Sequence, residues 1–238
     1  MVSVCMATYN GAKYIREQID SILPQLSPDD ELIISDDHST DGTAEIIVSY
    51  MDNRIKFFYN EMQKGVTHNF ENALNKSKGD MIFFADQDDV WLPTKIQEMS
   101  DFLNNTDYDL ITCSCALTDA NLKITDPDWY KDENPIQRGA LKNFIVDKWL
   151  GACMAFRRDV LHCFTPFPPK AAAHDYWIGI YANLHLKCGY YPKVLQLFRR
   201  HENVVSHAGS KSTNSLSYKI KYRLYIAWYL LITKHRRY

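Results

Sequence analysis

Met81-Ile82-Phe83-Phe84-Ala85-Asp86-Gln87-Asp88-Asp89-Val90-Trp91 passes from an apolar run straight into three carboxylates within four positions. The apolar part suits a strand buried on both faces, as in a parallel sheet. Carboxylates that close repel one another, and a folded chain keeps them together chiefly where a cation sits among them. The structural alternative is a solvated loop with an acidic tip.

Outward from this stretch, short apolar runs alternate with helical patterns over the first 116 residues. Strands are expected at Val2–Ala7, Glu31–Ser35, Ile55–Tyr59, Met81–Ala85 and Leu110–Cys115. Helices are expected at Tyr14–Leu23, Thr43–Tyr50 and near His68–Asn75, with another opening at Pro93, a favoured first-turn residue. This alternation implies an α/β fold with a mostly parallel central sheet flanked by helices. The second half is less regular: a polar loop over Asp119–Gln137, a strand at Ala152–Phe156, a helix at Asp175–Lys187 and a strand at Tyr190–Arg200. A polar loop, Ser206–Ser215, leads to a closing helix at Leu216–Lys234.

Ligands of an open parallel sheet bind beyond the carboxyl ends of its strands. Three such ends are chemically loaded: Ala7-Thr8-Tyr9-Asn10-Gly11, Ser35-Asp36-Asp37-His38-Ser39-Thr40-Asp41-Gly42, and the acidic cluster. Ser39 or Asp41 can cap the helix that follows the second. Capping leaves the Asp36-Asp37 pair unexplained, and a carboxylate at a strand end can accept hydrogen bonds from a base or a ribose hydroxyl. A calcium loop counted from Asp37 fails, because its twelfth position is Val48.

The 238 residues suffice for a sizeable core, and 46% hydrophobic with 24% charged residues is ordinary for a globular protein. The net charge of −2 hides an asymmetry: 29 acids against 20 bases up to Glu202 (−9), then seven bases and no acid (+7). An acidic body argues against a nucleic-acid partner. Six cysteines without paired spacing imply free thiols rather than a zinc knuckle or a disulfide framework. With no signal-like or membrane-spanning run, the chain reads as cytoplasmic.

Together with His174-Asp175-Tyr176-Trp177 and Phe198-Arg199-Arg200-His201-Glu202-Asn203, the three loaded ends resemble glycosyltransferase family 2 over roughly residues 1–205. The combination in this order is specific, although each motif alone is weak. The nearest likeness is to the rhamnosyltransferase-like branch of bacterial surface-polysaccharide enzymes. The resemblance implies a GT-A fold with a nucleotide-sugar-binding half at 1–116, an acceptor and catalytic-base half at 117–205, and a tail at 206–238. It implies inverting transfer from a UDP- or dTDP-linked donor to a glycan acceptor, which could be lipid-linked, in O-antigen or capsular polysaccharide synthesis. By the same resemblance, Thr8, Tyr9, Asn10, Asp36, Asp37, Asp86 and Arg199 or Arg200 would contact the nucleotide. Asp88 and His201 would hold Mn²⁺ or Mg²⁺, and Asp175 would be the base. Asp89, Trp91, Tyr176 and Trp177 would face the acceptor, flat rings being suited to a sugar face.

The residue types agree with that chemistry. A divalent cation stabilises the charge that develops as a nucleoside diphosphate departs, and one carboxylate can take the proton of the attacking hydroxyl. Asp175 could instead cap its helix, and a lone histidine such as His201 could be a structural hydrogen-bonder. The closing helix, with Tyr218, Tyr222, Tyr225, Trp228 and Tyr229 among basic residues, either docks on the domain or lies on a membrane surface at the inner face of the cell membrane. Two rival functions remain: a haloacid-dehalogenase-like phosphatase with Asp86 as nucleophile, and a non-catalytic nucleotide-sugar or glycan binder.

Overall fold

Runs such as Val2–Thr8 and Leu110–Thr118 are buried at every position, which requires cover on both faces of the sheet they form. The computed structural model describes residues 1–131, 133–202 and 215–233. Its strands are β1 Val2–Thr8, β2 Glu31–Asp36, β3 Ile55–Tyr59, β4 Met81–Asp86, β5 Val90–Trp91, β6 Leu110–Thr118, β7 Ile124–Asp126, β8 Met154–Arg157 and β9 Cys188–Arg199. Its helices are α1 Ile15–Ile22, α2 Thr43–Val48, α3 Val66–Lys76, α4 Lys95–Asn104, α5 Pro135–Ile145, α6 Leu161–Phe164, α7 His174–His185 and α8 Leu216–Ile232.

One nine-stranded sheet has the order β3-β2-β1-β4-β8-β6-β9-β5, with β7 paired to β6. Strands β1 to β4 are parallel where they pair. β8 runs antiparallel between β4 and β6, and β9 lies parallel to β6. The two reversals cancel, so β9 points the same way as β4. The carboxyl ends of β1, β2, β4 and β9 therefore share one edge of the sheet. Along β1, Val4 and Met6 join a core with Ile15 and Ile19 of α1 and Met99 of α4. Cys5 and Ala7 join the opposite core with Phe70 of α3 and Trp177 of α7. Each large apolar side chain so enclosed stabilises the fold by about 1.5–3 kcal/mol before chain entropy is counted.

The expected mostly parallel sheet holds. Two local expectations do not. Leu92 spends its N–H on the Leu195 carbonyl at 2.9 Å, which keeps residues 90–92 in the sheet and delays α4 until Lys95. The stretch expected as loop over 119–137 contains β7 and the start of α5. There Asn134 accepts hydrogen bonds from the N–H groups of Ile136 and Gln137 at 3.0 Å, and Pro135 occupies the first turn. Gly139, at φ 67°, breaks α5 midway. The polar segment 206–214 and Lys234 lie outside the described residues. The six cysteines are free.

Candidate active site

At the ends of β1 and β2 the polar side chains mostly hold one another. The Thr8 hydroxyl donates to Asp36 at 2.7 Å, as do the Ser39 N–H at 2.7 Å and hydroxyl at 2.6 Å. Asp36 is fully buried, so in this structure its carboxylate fixes the turn between the strand ends. Asp37 accepts from Asn60 Nδ2 and the Gly65 N–H, both at 2.9 Å, joining the end of β2 to the entrance of α3. Tyr9 is exposed, and its backbone N–H and C=O both bond the Gln87 amide, at 2.9 and 3.0 Å. A Cβ at Gly11 would lie 2.2 Å from Gln87 Oε1, so the small residue permits that clasp between β1 and the acidic turn. Asn10, in the left-handed region at φ 48°, accepts from the Thr40 N–H at 2.9 Å.

The three acids of the opening stretch part company. Asp88 Oδ2 lies 2.8 Å from His201 Nε2, although 113 residues separate them. Asp86, half-buried beside them, is pushed up to about 8, first by burial and then by the charges of Asp88 and Asp175. Asp89 turns away: it is buried and accepts from the Arg199 N–H at 2.9 Å and from Gln196 Nε2 at 3.1 Å. Burial, then Asp88 and Asp86, push its carboxyl well up. Asp89 thus ties the acidic turn to β9, which corrects its assignment to the acceptor.

Beneath this turn lies Lys95, fully buried. Its ammonium donates to the Ala152 carbonyl at 2.6 Å and to Gln196 Oε1, and sits 4.1 Å from the centre of the Trp91 ring. No sequence signal marked it, because a lysine in the first turn of a helix ordinarily faces water. Lys95→Met leaves Gln196 and Ala152 without their donor and removes the cation nearest the buried acids. Unfolding free energy falls by about 2–4 kcal/mol; an unchanged midpoint in urea denaturation would show that Lys95 has no such role.

Arg199 is 2% exposed and its guanidinium is committed. It donates to the Asp88 carbonyl at 2.7 Å, to Ala120 O at 2.8 Å and to Glu17, and lies 4.6 Å from the Tyr14 ring centre. Of the two arginines expected at the nucleotide, Arg199 therefore clamps the acidic turn, which leaves Arg200 for that contact. Arg200, half-buried, is held below its usual value by burial, while the charge of Asp88 acts the other way. Neighbouring residues alternate across a strand, and Arg200 is the one that senses the charge of Asp88.

Across the crevice, Asp175 stands in the first turn of α7 with Ala173 as the cap. Its carboxylate accepts from the Tyr176 N–H at 2.8 Å and the Gly151 N–H at 3.3 Å. Asp147, missed in the sequence, follows α5, feels the charge of Asp175 and accepts from the Trp149 N–H at 2.9 Å. Crowding by protein and then the charge of Asp175 push its carboxyl up; water reaches Asp147 from the surface and blunts both effects. His174 is buried against Phe70 and Phe84, its Nε2 without a partner, and burial pushes it down, towards the neutral form.

The aromatic expectations fare differently. Trp177 is fully buried and donates to the Phe164 carbonyl at 2.8 Å; Trp91 is 2% exposed. Tyr176 is buried with its hydroxyl on the Phe144 carbonyl at 2.8 Å. None of the three rings is an open platform for a sugar, which corrects their assignment. Their neighbours in the core claim them.

The donor set suits a hard cation: Asp88 and Asp86 offer oxygens, and His201 offers a ring nitrogen. Among the described residues no group of three His, Cys, Asp or Glu side chains is arranged to hold a metal by itself. That fits a cation which keeps substrate phosphates and water among its ligands.

Residues 3–165 match the family model described as glycosyl transferase family 2. The chain belongs to this family. The phosphatase alternative falls with that finding. A putative teichuronic acid biosynthesis glycosyltransferase, TuaG of Bacillus subtilis, is 34% identical over 61% of this chain and 59% of its own length. WfgD of Escherichia coli, a UDP-Glc:alpha-D-GlcNAc-diphosphoundecaprenol beta-1,3-glucosyltransferase, is 36% identical over 44% of this chain and 42% of its own. This family 2 chain spans about half the length of the curated relatives it matches. Among solved structures, S. aureus TarS 1-349 in complex with UDP-GlcNAc aligns with a TM-score of 0.76 at 22% identity, over 99% of this chain and 69% of its own. The mannosyltransferase PcManGT of Pyrobaculum calidifontis, in complex with GDP-Man and Mn2+, aligns at 0.64 and 19% identity over 99% and 71%. The GT-A fold expected from the sequence is the fold these neighbours share.

Proposed function

We propose that this chain moves a hexosyl or deoxyhexosyl unit from a UDP- or dTDP-linked donor to a hydroxyl of a surface-glycan acceptor, with inversion, using Mn²⁺ or Mg²⁺. One observation carries the reading: Asp88 and His201 meet at 2.8 Å beside Asp86, and the upward push on Asp86 by the charges of Asp88 and then Asp175 supports one crevice between the acidic turn and the α7 carboxylate. Asp88, His201 and Asp86 would hold the cation, which supplies positive charge to the departing diphosphate. Arg200, at the same edge, adds a second cation for the phosphates. Tyr9, Asn10 and the Asp37 turn border the base and ribose. Asp175 takes the proton from the acceptor hydroxyl as that oxygen attacks the anomeric carbon from the side opposite the diphosphate. A single displacement inverts that centre. The name of WfgD, which describes a diphosphoundecaprenol-linked acceptor, supports a lipid-linked glycan, and the name of TuaG, a putative teichuronic acid biosynthesis glycosyltransferase, supports a role in surface polymer synthesis.

The test is nucleoside diphosphate release from a panel of UDP- and dTDP-sugars with Mn²⁺, with and without lipid-linked and soluble glycan acceptors. Acceptor-dependent release from one donor, abolished by chelation, is the expected result. Donor binding without turnover on every acceptor would favour the non-catalytic reading.

A further inference from the structure

The closing helix α8 has two apolar faces, and the fold uses one. Ile226, Tyr229 and Thr233 are buried at 0, 9 and 5% exposure against the α7 side of the core. On the opposite side Ile220, Leu224, Trp228 and Leu231 follow at spacings of four, four and three, a single helical stripe, with exposures of 50, 65, 54 and 66%. A stripe of that length left to water costs free energy in an isolated molecule and marks a contact surface.

The stripe continues onto a second element. Arg223, at its edge, donates to the carbonyls of Phe144 at 2.8 Å and Ile145 at 2.5 Å. This places the end of α5 beside α8, where Leu141, Ile145 and Val146 are exposed at 74, 56 and 56%. The α8 side of this surface is basic: Lys219, Lys221 and Arg223 lie on α8, which carries no acid, while Asp147 and the Lys142–Glu133 pair stand on the α5 side. An apolar face with an aromatic ring and a basic surround complements an anionic bilayer, with the rings and aliphatic side chains at headgroup depth and the lysines on phosphate. A second copy of the chain would bring like charges together.

The position is as informative as the composition. Tyr222 and Tyr225 of α8 accept from the N–H groups of Ala172 and Lys170, at 3.1 and 3.2 Å, in the segment that leads directly to Asp175. Asp147 follows the exposed Val146.

We propose that the outer face of α8, with Leu141, Ile145 and Val146, docks on an anionic lipid bilayer and sets the acceptor side of the crevice against the headgroups. The benefit for catalysis rests on the transferase reading above; the docking does not.

Sedimentation with vesicles of phosphatidylcholine, alone or mixed with phosphatidylglycerol, tests this on the whole chain. Binding to the mixed vesicles alone, reversed by salt, is expected. Lys221→Glu should weaken it about fivefold and the double variant Leu224→Gln, Trp228→Gln at least about tenfold. Transfer to a short soluble glycan should be the same in all variants. Failure to bind anionic vesicles overturns the docking, as does a dimer in light scattering that dissociates in the double variant. Transfer to the soluble acceptor without vesicle binding would leave the enzyme reading standing and remove this one. Vesicle binding without transfer from any donor would do the reverse.

Discussion

Asp175→Asn should lower sugar transfer by about 10²–10⁴-fold, the usual contribution of a positioned general base, and leave donor affinity unchanged. The two effects separate because the carboxylate stands on the acceptor side. Its local structural work is small: it accepts the Tyr176 N–H at 2.8 Å and a long bond from Gly151 at 3.3 Å. Asn keeps an oxygen for the first and loses only basicity and charge. α7 is also capped by Ala173 without a side chain, so the variant does not remove a cap. Steady-state transfer and donor titration on the same preparation decide the matter. A fall in both would point to a folding effect, and normal transfer would remove Asp175 as the base. Asp147→Asn is the natural control. It removes the carboxylate nearest in kind, and if it abolishes transfer while Asp175→Asn does not, the base is Asp147.

What the sequence made legible follows from where the information lies. β1, β2 and β4 were readable because they are enclosed on both faces, so burial appears as unbroken apolar runs; the loaded ends were readable because strand direction alone places them at one edge. α5 was missed because the polar run over Asp119–Gln137 suggested loop, although Asn134 and Gln137 already spelled a capping box. β5 has two residues and exists only through Leu197 and Gln196 of β9, which lie more than a hundred positions on. The same long reach hid Lys95 and turned Asp89 and Arg199 inward. Trp91 and Trp177 misled for a related reason: an aromatic beside a carboxylate looks like a sugar platform, and nothing in local sequence reveals that the core covers it. The acidic cluster was located correctly in the chain, but its division between the crevice and the sheet required β9.

Asp88→Asn should remove cation-dependent donor binding, weakening it by at least about 100-fold, since loss of even an outer-shell partner of a metal costs 10–100-fold. The argument begins with the 2.8 Å contact to His201. Asp88 and His201 lie 113 positions apart in the sequence and meet at 17 and 11% side-chain exposure, close enough for one cation to engage both. Asp86 supplies the pH signature. Its carboxyl is pushed up to about 8 by burial and by its acidic neighbours, so below that pH a cation must displace a proton to gain the charged oxygen. Mn²⁺ affinity should therefore rise with pH up to about 8 and then level off. Stability should move the other way. A folded value above the unfolded one stabilises the protein at low pH, and this contribution is lost as pH rises from the ordinary carboxylate range through about 8. Added Mn²⁺ restores it by supplying the missing positive charge. In Asp88→Asn one like charge disappears, Asp86 ionises more readily, and the cation-free protein loses less stability over the same range. Thermal unfolding with chelator and with Mn²⁺, across that pH interval, reads all of these together. A melting temperature that ignores Mn²⁺ at every pH in the unsubstituted protein, with a nucleoside diphosphate present to complete the cation's ligands, would show that Asp86, Asp88 and His201 do not form the cation site.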